Sequence, residues 1–556
     1  MTDIQTVQLY TISDPLYFDT PDRLADADTR YDWAGAAVPD GWRRTGRGLW
    51  CQLRPVDHVL PEQGWKIHVS AESGSAADTL RTVADACLRR GVPFKFLRSP
   101  DALRFANGKY FARGSSGKFV TVYPRDDDQF VDLLDELVPA LAGRRGPYIL
   151  SDLRIGAGPV FVRFGAFVDL WCAAPDGRRV PAVRDPAGLL VPDRRGPVFR
   201  MPSWVTPPDA LRPHLAARAV AVGEDFPFEV VRALHFTNAG GIYLARRRDG
   251  STVVLREARP HAGLDEHGAD AVTRLRREHA VLSRLAGLDC VPALHGLVTA
   301  WEHEFIVEEH IEGQVLLNAV ISRCPLRYID PSPADVAAYL RWVDTVTDNL
   351  RRAVDALHAR GVTVGDLHPG NVIVRPDDSV VIIDLEYAGR AGEAERVRIG
   401  GAGFTAPADF DNVEADRFAL RAVWRAMLMP LAELADLDPE KSTTMDLFVR
   451  HRYGLDPDAG PRPPRPPTDD GAGDSGEGRV RRLFDDPATQ WPLIRAGLVD
   501  GILAAADPQR ADRLFPADPE VFNDQGPGVA HGAAGVLMAL HRCGEPVPDE
   551  LTDWLA

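Results

Sequence analysis

Lysine is nearly missing from this chain: of 64 basic residues only five, Lys66, Lys95, Lys109, Lys118 and Lys441, are lysine. A surface that needs only positive charge is met by arginine elsewhere in the sequence. An ammonium can lose its proton when desolvated, which a guanidinium cannot. Four of the five lysines fall between positions 66 and 118, which points to a site there that requires amines. Cysteine is also scarce, and the six present (Cys51, Cys87, Cys172, Cys290, Cys324 and Cys543) form no CxxC and no regular spacing. That argues against a disulfide framework and favours a reducing compartment. No stretch approaches the roughly 18 apolar residues of a membrane span. Met1 to Tyr10 lacks the basic start and apolar run of a signal peptide. The expectation is a cytoplasmic protein with no membrane partner. A formal net charge of -16 argues against nucleic acid as a partner.

At 556 residues the chain is too long for one core, and three or four units are expected. The hydrophobic fraction of 45% and charged fraction of 26% are ordinary for globular proteins. The predicted fold class is multidomain α+β. A turn-rich stretch around Pro202 to Pro213 marks one boundary. A second runs DPDAGPRPPRPPTDDGAGDSGE from Asp456, a composition that buries little surface and reads as a linker. The chain thus divides into residues 1–210, 211–455, a linker at 456–480, and 481–556.

In Trp65-Lys66-Ile67-His68-Val69-Ser70 apolar and polar residues alternate, the period of a strand buried on one face, so Lys66 and His68 point the same way. Leu80, Val83, Ala84, Cys87 and Leu88 recur at helical spacing, Gly91 supplies a stop, and Phe94-Lys95-Phe96-Leu97 reads as a strand. This order can bring Lys95 beside the Lys66 and His68 face. Lys109, Arg113, Lys118, Arg154 and Arg163 are further cations of the region. Several cations converging with one histidine suit a phosphate dianion. Positive neighbours and burial favour the neutral amine of one lysine, which can then take a carbon-bound proton. Elimination of phosphate from a phosphoserine needs such a base, an acid at the leaving group and charge stabilisation.

Between Phe228 and Gly454 a different set of signals follows in order. Adjacent Gly240 and Gly241 lie at a strand turn, where backbone amides can approach phosphates. Strand-like Val253-Val254-Leu255 leads into Arg256, and a helix carrying Val272, Leu275, Leu282 and Leu285 on one face offers Glu278 as an ion-pair partner. Another helix, with Leu340, Val343, Leu350, Val354 and Leu357, precedes Gly365-Asp366-Leu367-His368-Pro369-Gly370-Asn371 and then Val380-Val381-Ile382-Ile383-Asp384-Leu385-Glu386. Phosphoryl transfer needs a carboxylate to orient the attacking hydroxyl and oxygen ligands for magnesium. Asp366, with Asn371 five residues on and Asp384 on the next strand, supplies that set at protein-kinase spacing.

On these residues the chain resembles the class III lanthionine (lanthipeptide) synthetases. Residues 20 to 200, and WKIHVSA followed by FKF most specifically, resemble phosphothreonine lyases and the lyase domain of those synthetases. The resemblance implies Lys95 as general base, His68 as general acid and Lys66 as phosphate ligand, with Lys118, Arg154 and Arg163 as further phosphate-binding candidates. The central region resembles a bilobal protein kinase. That implies Asp366 as the residue orienting the hydroxyl, Asn371 and Asp384 as magnesium ligands, and Gly240, Gly241, Arg256 and Glu278 as nucleotide-binding elements. Gly403 to Pro407 resembles the end of an activation segment, and Asp416 the buried helix aspartate of kinase C-lobes. Three departures stand out: Val364 replaces the usual histidine, Asp384-Leu385-Glu386 replaces DFG, and Arg256 occupies the position of a phosphate-binding lysine. In the last segment Trp491 to Leu514 reads as helical. GPGVAHGAAGVLMALH resembles the entry to an α/α cyclase barrel, so 481–556 is expected to be a partial cyclase-like piece without zinc.

The resemblance implies a dehydratase that uses ATP or GTP with Mg2+ on a precursor peptide carrying a leader. The partial cyclase-like segment leaves two readings open, a truncated chain or ring closure by a separate cyclase as a further partner. GDLHPGN also resembles aminoglycoside and choline kinases, which gives a small-molecule phosphotransferase as one alternative. A noncatalytic pseudokinase scaffold that presents peptides to partner enzymes is the other.

Overall fold

The computed structural model describes residues 30–175, 179–194, 198–221, 226–265, 267–328, 330–392, 403–437, 441–456, 458–462, 486–522 and 526–556, together with isolated positions between and before these. It is a multidomain α+β protein. Most of the expected linker at 456–480 lies outside the described residues.

The N-terminal region is built on a seven-stranded sheet, all of whose pairings are antiparallel. Its strands are β1 (Trp42–Arg47), β2 (Trp50–Pro55), β3 (Gln63–Val69), β4 (Phe94–Leu97), β5 (Val120–Val122), β6 (Leu153–Arg154) and β7 (Val160–Ala166), in the order β1-β2-β4-β5-β3-β7-β6. One face is apolar and carries the helices α1 (Ala76–Arg90) and α2 (Asp127–Ala140). Ile67, Val122 and Phe94 lie side by side on it through strand register and are fully buried, and Trp65 stacks on Phe130 of α2. The stripe Leu80, Val83, Ala84 and Cys87 is the buried side of α1. That helix stops at Gly91, whose φ of 64° and backbone N–H to Cys87 O close the last turn. Because strand side chains alternate between faces, Lys66, His68 and Lys95 are left on the face opposite the helices. A small sheet of β8 (Trp171–Ala173), β9 (Arg179–Arg184) and β10 (Leu190–Pro192) leans on β7. It is tied to β3 by two hydrogen bonds between Gln63 and the backbone of Arg184.

The central region has a sheet lobe and a helical lobe. The sheet orders β11 (Phe228–Phe236), β12 (Gly241–Arg247), β13 (Thr252–Ala258), β15 (His303–Glu309) and β14 (Leu294–Ala300), all antiparallel. Helix α3 (Ala271–Arg284) packs against β14 and β15 through Ala271, Val272 and Leu275. The helical lobe centres on α4 (Pro333–Ala359), which starts at the cap Ser332 with proline in its first turn, and α5 (Asn412–Leu428), which starts with an Asp411 and Glu414 capping box. Between these helices the chain forms short strands at Val372–Val374 and Val380–Ile382.

In the last segment the helix expected from Trp491 to Leu514 runs instead over Pro487–Ala504. Asp507-Pro508 explains the early stop, because a proline disfavours helical backbone at the residue before it. Leu514, Phe515, Ala533, Leu537 and Leu551 make a small core there. The buried Asp19 anchors this segment to the start of the chain by accepting hydrogen bonds from Arg510. No helix among the described residues is long and apolar enough to cross a membrane.

Candidate functional site

Among the described residues, one group of polar side chains lies on the N-terminal sheet and another between the lobes of the central region. On the sheet, register places Lys95 of β4 opposite Thr121, Thr121 opposite His68 of β3, and Lys66 opposite Arg163 of β7. Directly opposed residues share a face. Lys95 and His68 are therefore two strands apart, about 10 Å at the backbone, with the small Thr121 between them. Lys95 Nζ lies 4.4 Å from the centre of the Trp50 ring.

His68 is only 4% exposed, and its Nδ1 is 2.5 Å from Asp152 Oδ2. Ser151 Oγ donates to the other Asp152 oxygen at 2.6 Å. Burial pushes the His68 pKa down to about 4; Asp152 pulls the other way, and the charges of Lys118 and Lys66 reinforce the fall. Burial also opposes the charge of Asp152, but His68 and Lys118 outweigh it and hold that carboxyl below the ordinary carboxylate range. The ionised partner fixes the proton on Nδ1 and leaves Nε2 as the atom that can meet a substrate. Lys66 Nζ donates to Ala166 O at 2.5 Å and sits about as far from Tyr123 as from Phe167, 6.0 and 5.9 Å from their ring centres. Lys118 Nζ donates to Gly114 O at 3.0 Å. Arg163 is buried in a two-point pair with Asp193, the residue after β10. Arg154 turns elsewhere: it bonds Gly158 O and Ala157 O and reaches Glu302 of the central region. The charges of Lys66 and Lys118 thus bear on the buried His68–Asp152 pair, Lys95 shares the sheet face, and Arg154 faces the second region.

Between the lobes, Arg256 of β13 divides its guanidinium between two carboxylates, Nη1 to Glu278 of α3 and Nη2 to Asp384, each at 2.6 Å. Glu278 also accepts the Leu385 N–H at 2.8 Å, so the sheet lobe, α3 and the Asp384 turn are pinned at one point. Asp384 has φ of +62°, a left-handed conformation that costs a non-glycine residue roughly 1–3 kcal/mol and is typical of functional sites. Burial opposes its charge, yet Arg256 and Lys109 hold the carboxyl well below the usual range. Asn371 Nδ2 donates to Asp366 O at 3.0 Å and lies 3.5 Å from Asp366 Oδ2. Burial raises the Asp366 pKa; His368 and Lys109 oppose that rise and Asp384 adds to it. From below, the buried Asp416 of α5 accepts the Val364 and Gly365 N–H groups at 2.8 and 3.1 Å and His358 Nε2 at 2.7 Å, fixing the backbone that carries Asp366. Gly365 is obligatory there: its φ is +81°, and a Cβ would lie 2.2 Å from Tyr387 O. At the strand turn a Cβ on Gly240 would sit 1.8 Å from Glu257 O, so only glycine allows β13 to approach so closely.

Lys109 and Arg113, grouped in sequence with the N-terminal cations, are built into the second site instead. Asn107 and Lys109 pair with Leu264 through their backbone, and Asn238 bonds back to Lys109 O and Gly108 O. Arg113 meets Glu257, which also accepts the Gly241 N–H. Asp152 and Asp193 carry no mark in the sequence pattern, and Glu386 stands out there only as the last residue of Asp384-Leu385-Glu386. The first lies two residues before Arg154 in Ser-Asp-Leu-Arg, but nothing in the pattern shows that it meets a histidine 84 positions away.

Asn371 and Asp384 are the residues that could hold a magnesium ion. Among the described residues no group of three or more His, Cys, Asp or Glu side chains is arranged for a metal. Two protein oxygens nevertheless suit magnesium, which keeps waters and takes phosphate oxygens to fill its shell.

Residues 30–221 match the family described as RamC, N-terminal domain. The chain is 43% identical over 601 residues to the probable SapB synthase of Streptomyces coelicolor, an alignment covering 98% of this chain and 63% of that protein. The chain therefore spans less than two thirds of that relative's length. An alignment over 215 residues, covering 36% of this chain, is 28% identical to the serine/threonine-protein kinase PknD of Mycobacterium tuberculosis and covers 30% of it. In its N-terminal third the chain is similar to RamC N-terminal domains, and over nearly its whole length to the probable SapB synthase.

Proposed function

We propose that this chain is a lanthipeptide synthetase of the class III type, which phosphorylates Ser and Thr of a leader-bearing precursor peptide and then eliminates the phosphate. The observation that carries this reading is that one chain, similar to a SapB synthase, holds both a carboxylate site suited to phosphoryl transfer and a cation–histidine site suited to phosphate loss. In the first, Asp366 orients the peptide hydroxyl and takes its proton, a role favoured by its raised pKa. Arg256 is held by Glu278 and keeps Asp384 ionised and aimed. Asn371 and Asp384 would hold magnesium, which when bound neutralises charge on the phosphates of ATP or GTP.

In the second site the Cα–H bond and the Cβ–O bond to phosphate break while Cα=Cβ forms. Lys95 takes the α-proton, His68 gives a proton to the leaving phosphate, and Lys66 and Lys118 bind its oxygens, with Arg163 at the edge of the cluster. The products are inorganic phosphate and dehydroalanine or dehydrobutyrine. His68 is neutral without substrate, so its acid role requires the phosphate dianion, whose charge favours imidazolium.

The test is intact mass spectrometry of a precursor peptide encoded beside the gene, incubated with the protein, magnesium and ATP or GTP. Loss of water supports both half-reactions. Phosphate addition without loss overturns the lyase assignment, and no change with the right peptide favours a pseudokinase scaffold.

A further inference from the structure

We propose that Lys109, although carried by the N-terminal domain, completes the nucleotide-phosphate site of the central region by placing its ammonium against the terminal phosphates. This rests on the kinase half of the function proposed above.

The geometry begins with a deficit. Arg256 stands where the resemblance places a phosphate-binding lysine, and both ends of its guanidinium are committed, one to Glu278 and one to Asp384. A planar fork fixed at two points cannot follow a phosphate through transfer as a rotatable ammonium can. Across the cleft, Lys109 Nζ donates to Glu386 Oε1 at 2.7 Å, two residues beyond Asp384, and lies 5.9 Å from the centre of the Tyr387 ring. The ion pair thus fixes the ammonium two residues along the chain from Asp384, and its charge bears on both Asp384 and Asp366. Arg274 already donates to the other Glu386 oxygen at 3.1 Å. Glu386 therefore keeps a cation partner when Lys109 turns to a phosphate, and the three donors of an ammonium allow it to hold both at once.

The lysine is delivered by a built connection. Leu264 N–H donates to Asn107 O at 2.9 Å and Asn238 N–H to Lys109 O at 3.0 Å, so the backbone of Lys109 is fixed to the turn Thr237–Gly241 that leads to the adjacent glycines. Arg113, four residues on, bonds Thr237 O and Glu257. The turn over the cleft and the ammonium inside it are thereby positioned by the same seven residues of the N-terminal domain.

The experiment uses the full chain with Lys109→Gln and, separately, Glu386→Gln, which breaks the same ion pair from the other side. Equilibrium binding of a nonhydrolysable ATP or GTP analogue with magnesium is measured first. Lys109→Gln is expected to weaken it tenfold or more, while Glu386→Gln holds or tightens it. Steady-state formation of nucleoside diphosphate with peptide should show the same split in nucleotide KM. Elimination from a synthetic phosphoserine peptide reports that the N-terminal domain of the variant is folded. Equal analogue affinity in wild type and Lys109→Gln overturns the inference, and so does an equal loss in both variants, which would make the pair an interdomain strut. Wild type that binds no nucleotide overturns it together with the kinase reading. Lys109-dependent binding without peptide phosphorylation sinks the proposed function alone.

Discussion

Asp152→Asn isolates what the buried carboxylate does for His68. The substitution keeps the side-chain volume. The His68 Nδ1–H still finds an oxygen, and the new amide can donate to Ser151 Oγ, so every group in the His68–Asp152–Ser151 chain remains satisfied and the fold is expected to survive. Only the charge is lost. A hydrogen bond to a charged acceptor contributes about 1.5–3 kcal/mol net and a neutral one about 0.5–1.5. The imidazolium thus loses roughly 1–1.5 kcal/mol of support, about one pKa unit. Burial already holds His68 near 4, so the protonated fraction in the phosphopeptide complex should drop about tenfold. Elimination at pH 7 should fall by at least that factor, and by ~10²–10⁴ if general acid catalysis fails altogether. Single-turnover formation of dehydroalanine from a synthetic phosphoserine peptide, followed by mass between pH 5.5 and 8 (about the range where His chemistry operates), reads this directly. With His68 held near 4, below the whole range, the variant's deficit should stay at about tenfold across it. A wild-type rate from a folded Asp152→Asn protein would refute the claim that this carboxylate charges and orients the histidine.

Lys95→Ala should accumulate phosphorylated peptide in place of dehydrated product in the full reaction; dehydrated product at the normal rate would remove Lys95 as the base. Acidification should destabilise the N-terminal domain: His68 falls from 6.5 when unfolded to about 4 when folded, so the unfolded chain binds the extra proton. The associated stability is present above pH 6.5 and is lost as pH falls towards 4, by roughly 3 kcal/mol at ~1.4 per unit. Denaturant midpoints across that window should move in wild type and stay flatter in His68→Phe. Asp416→Ala leaves two backbone N–H groups without their acceptor, at ~1–3 kcal/mol each. A lowered unfolding transition together with lost phosphoryl transfer is the expected result, and an unchanged transition would count against the anchoring role.

Features set by local periodicity were legible in the sequence. The alternation Trp65 to Ser70 puts Lys66 and His68 on one face, and the register of β3, β5 and β4 has them there with Lys95. The stripe of α1 and its Gly91 stop follow from helical spacing, and the Arg256 and Glu278 pair forms where the strand and helix pattern placed it. What could not be read was set by contacts between distant segments. Asp152 reaches His68 from a turn after α2, Asp193 meets Arg163 only because the small sheet folds back on β7, and Arg154 is drawn to Glu302 across the domain boundary. None of these leaves a period or a fixed spacing. The helix drawn through to Leu514 failed for a local reason, since its apolar spacing outlasts Asp507-Pro508.

The scarcity of lysine turns out to bear on two places and not one. Lys66, Lys95 and Lys118 belong to the N-terminal sheet or the loop against it, and the charges of Lys66 and Lys118 bear on His68. Lys109 sits in the same short stretch of sequence but leaves that domain to meet Glu386. Arginine supplies nearly all other positive charge, including the structural pairs Arg163–Asp193, Arg256–Glu278 and Arg510–Asp19. The division follows the chemistry of the two heads. A delocalised fork suits a permanent two-point pair with a carboxylate, whereas a compact, rotatable ammonium suits a partner that arrives, moves and leaves. If that logic holds, exchange to arginine should be tolerated at Lys441, on the exposed start of its helix, and not at Lys109, where the fork would lock onto Glu386 and Asp384 and compete with the phosphate. A Lys109→Arg protein that bound and turned over nucleotide as wild type does would break the link between lysine usage and function.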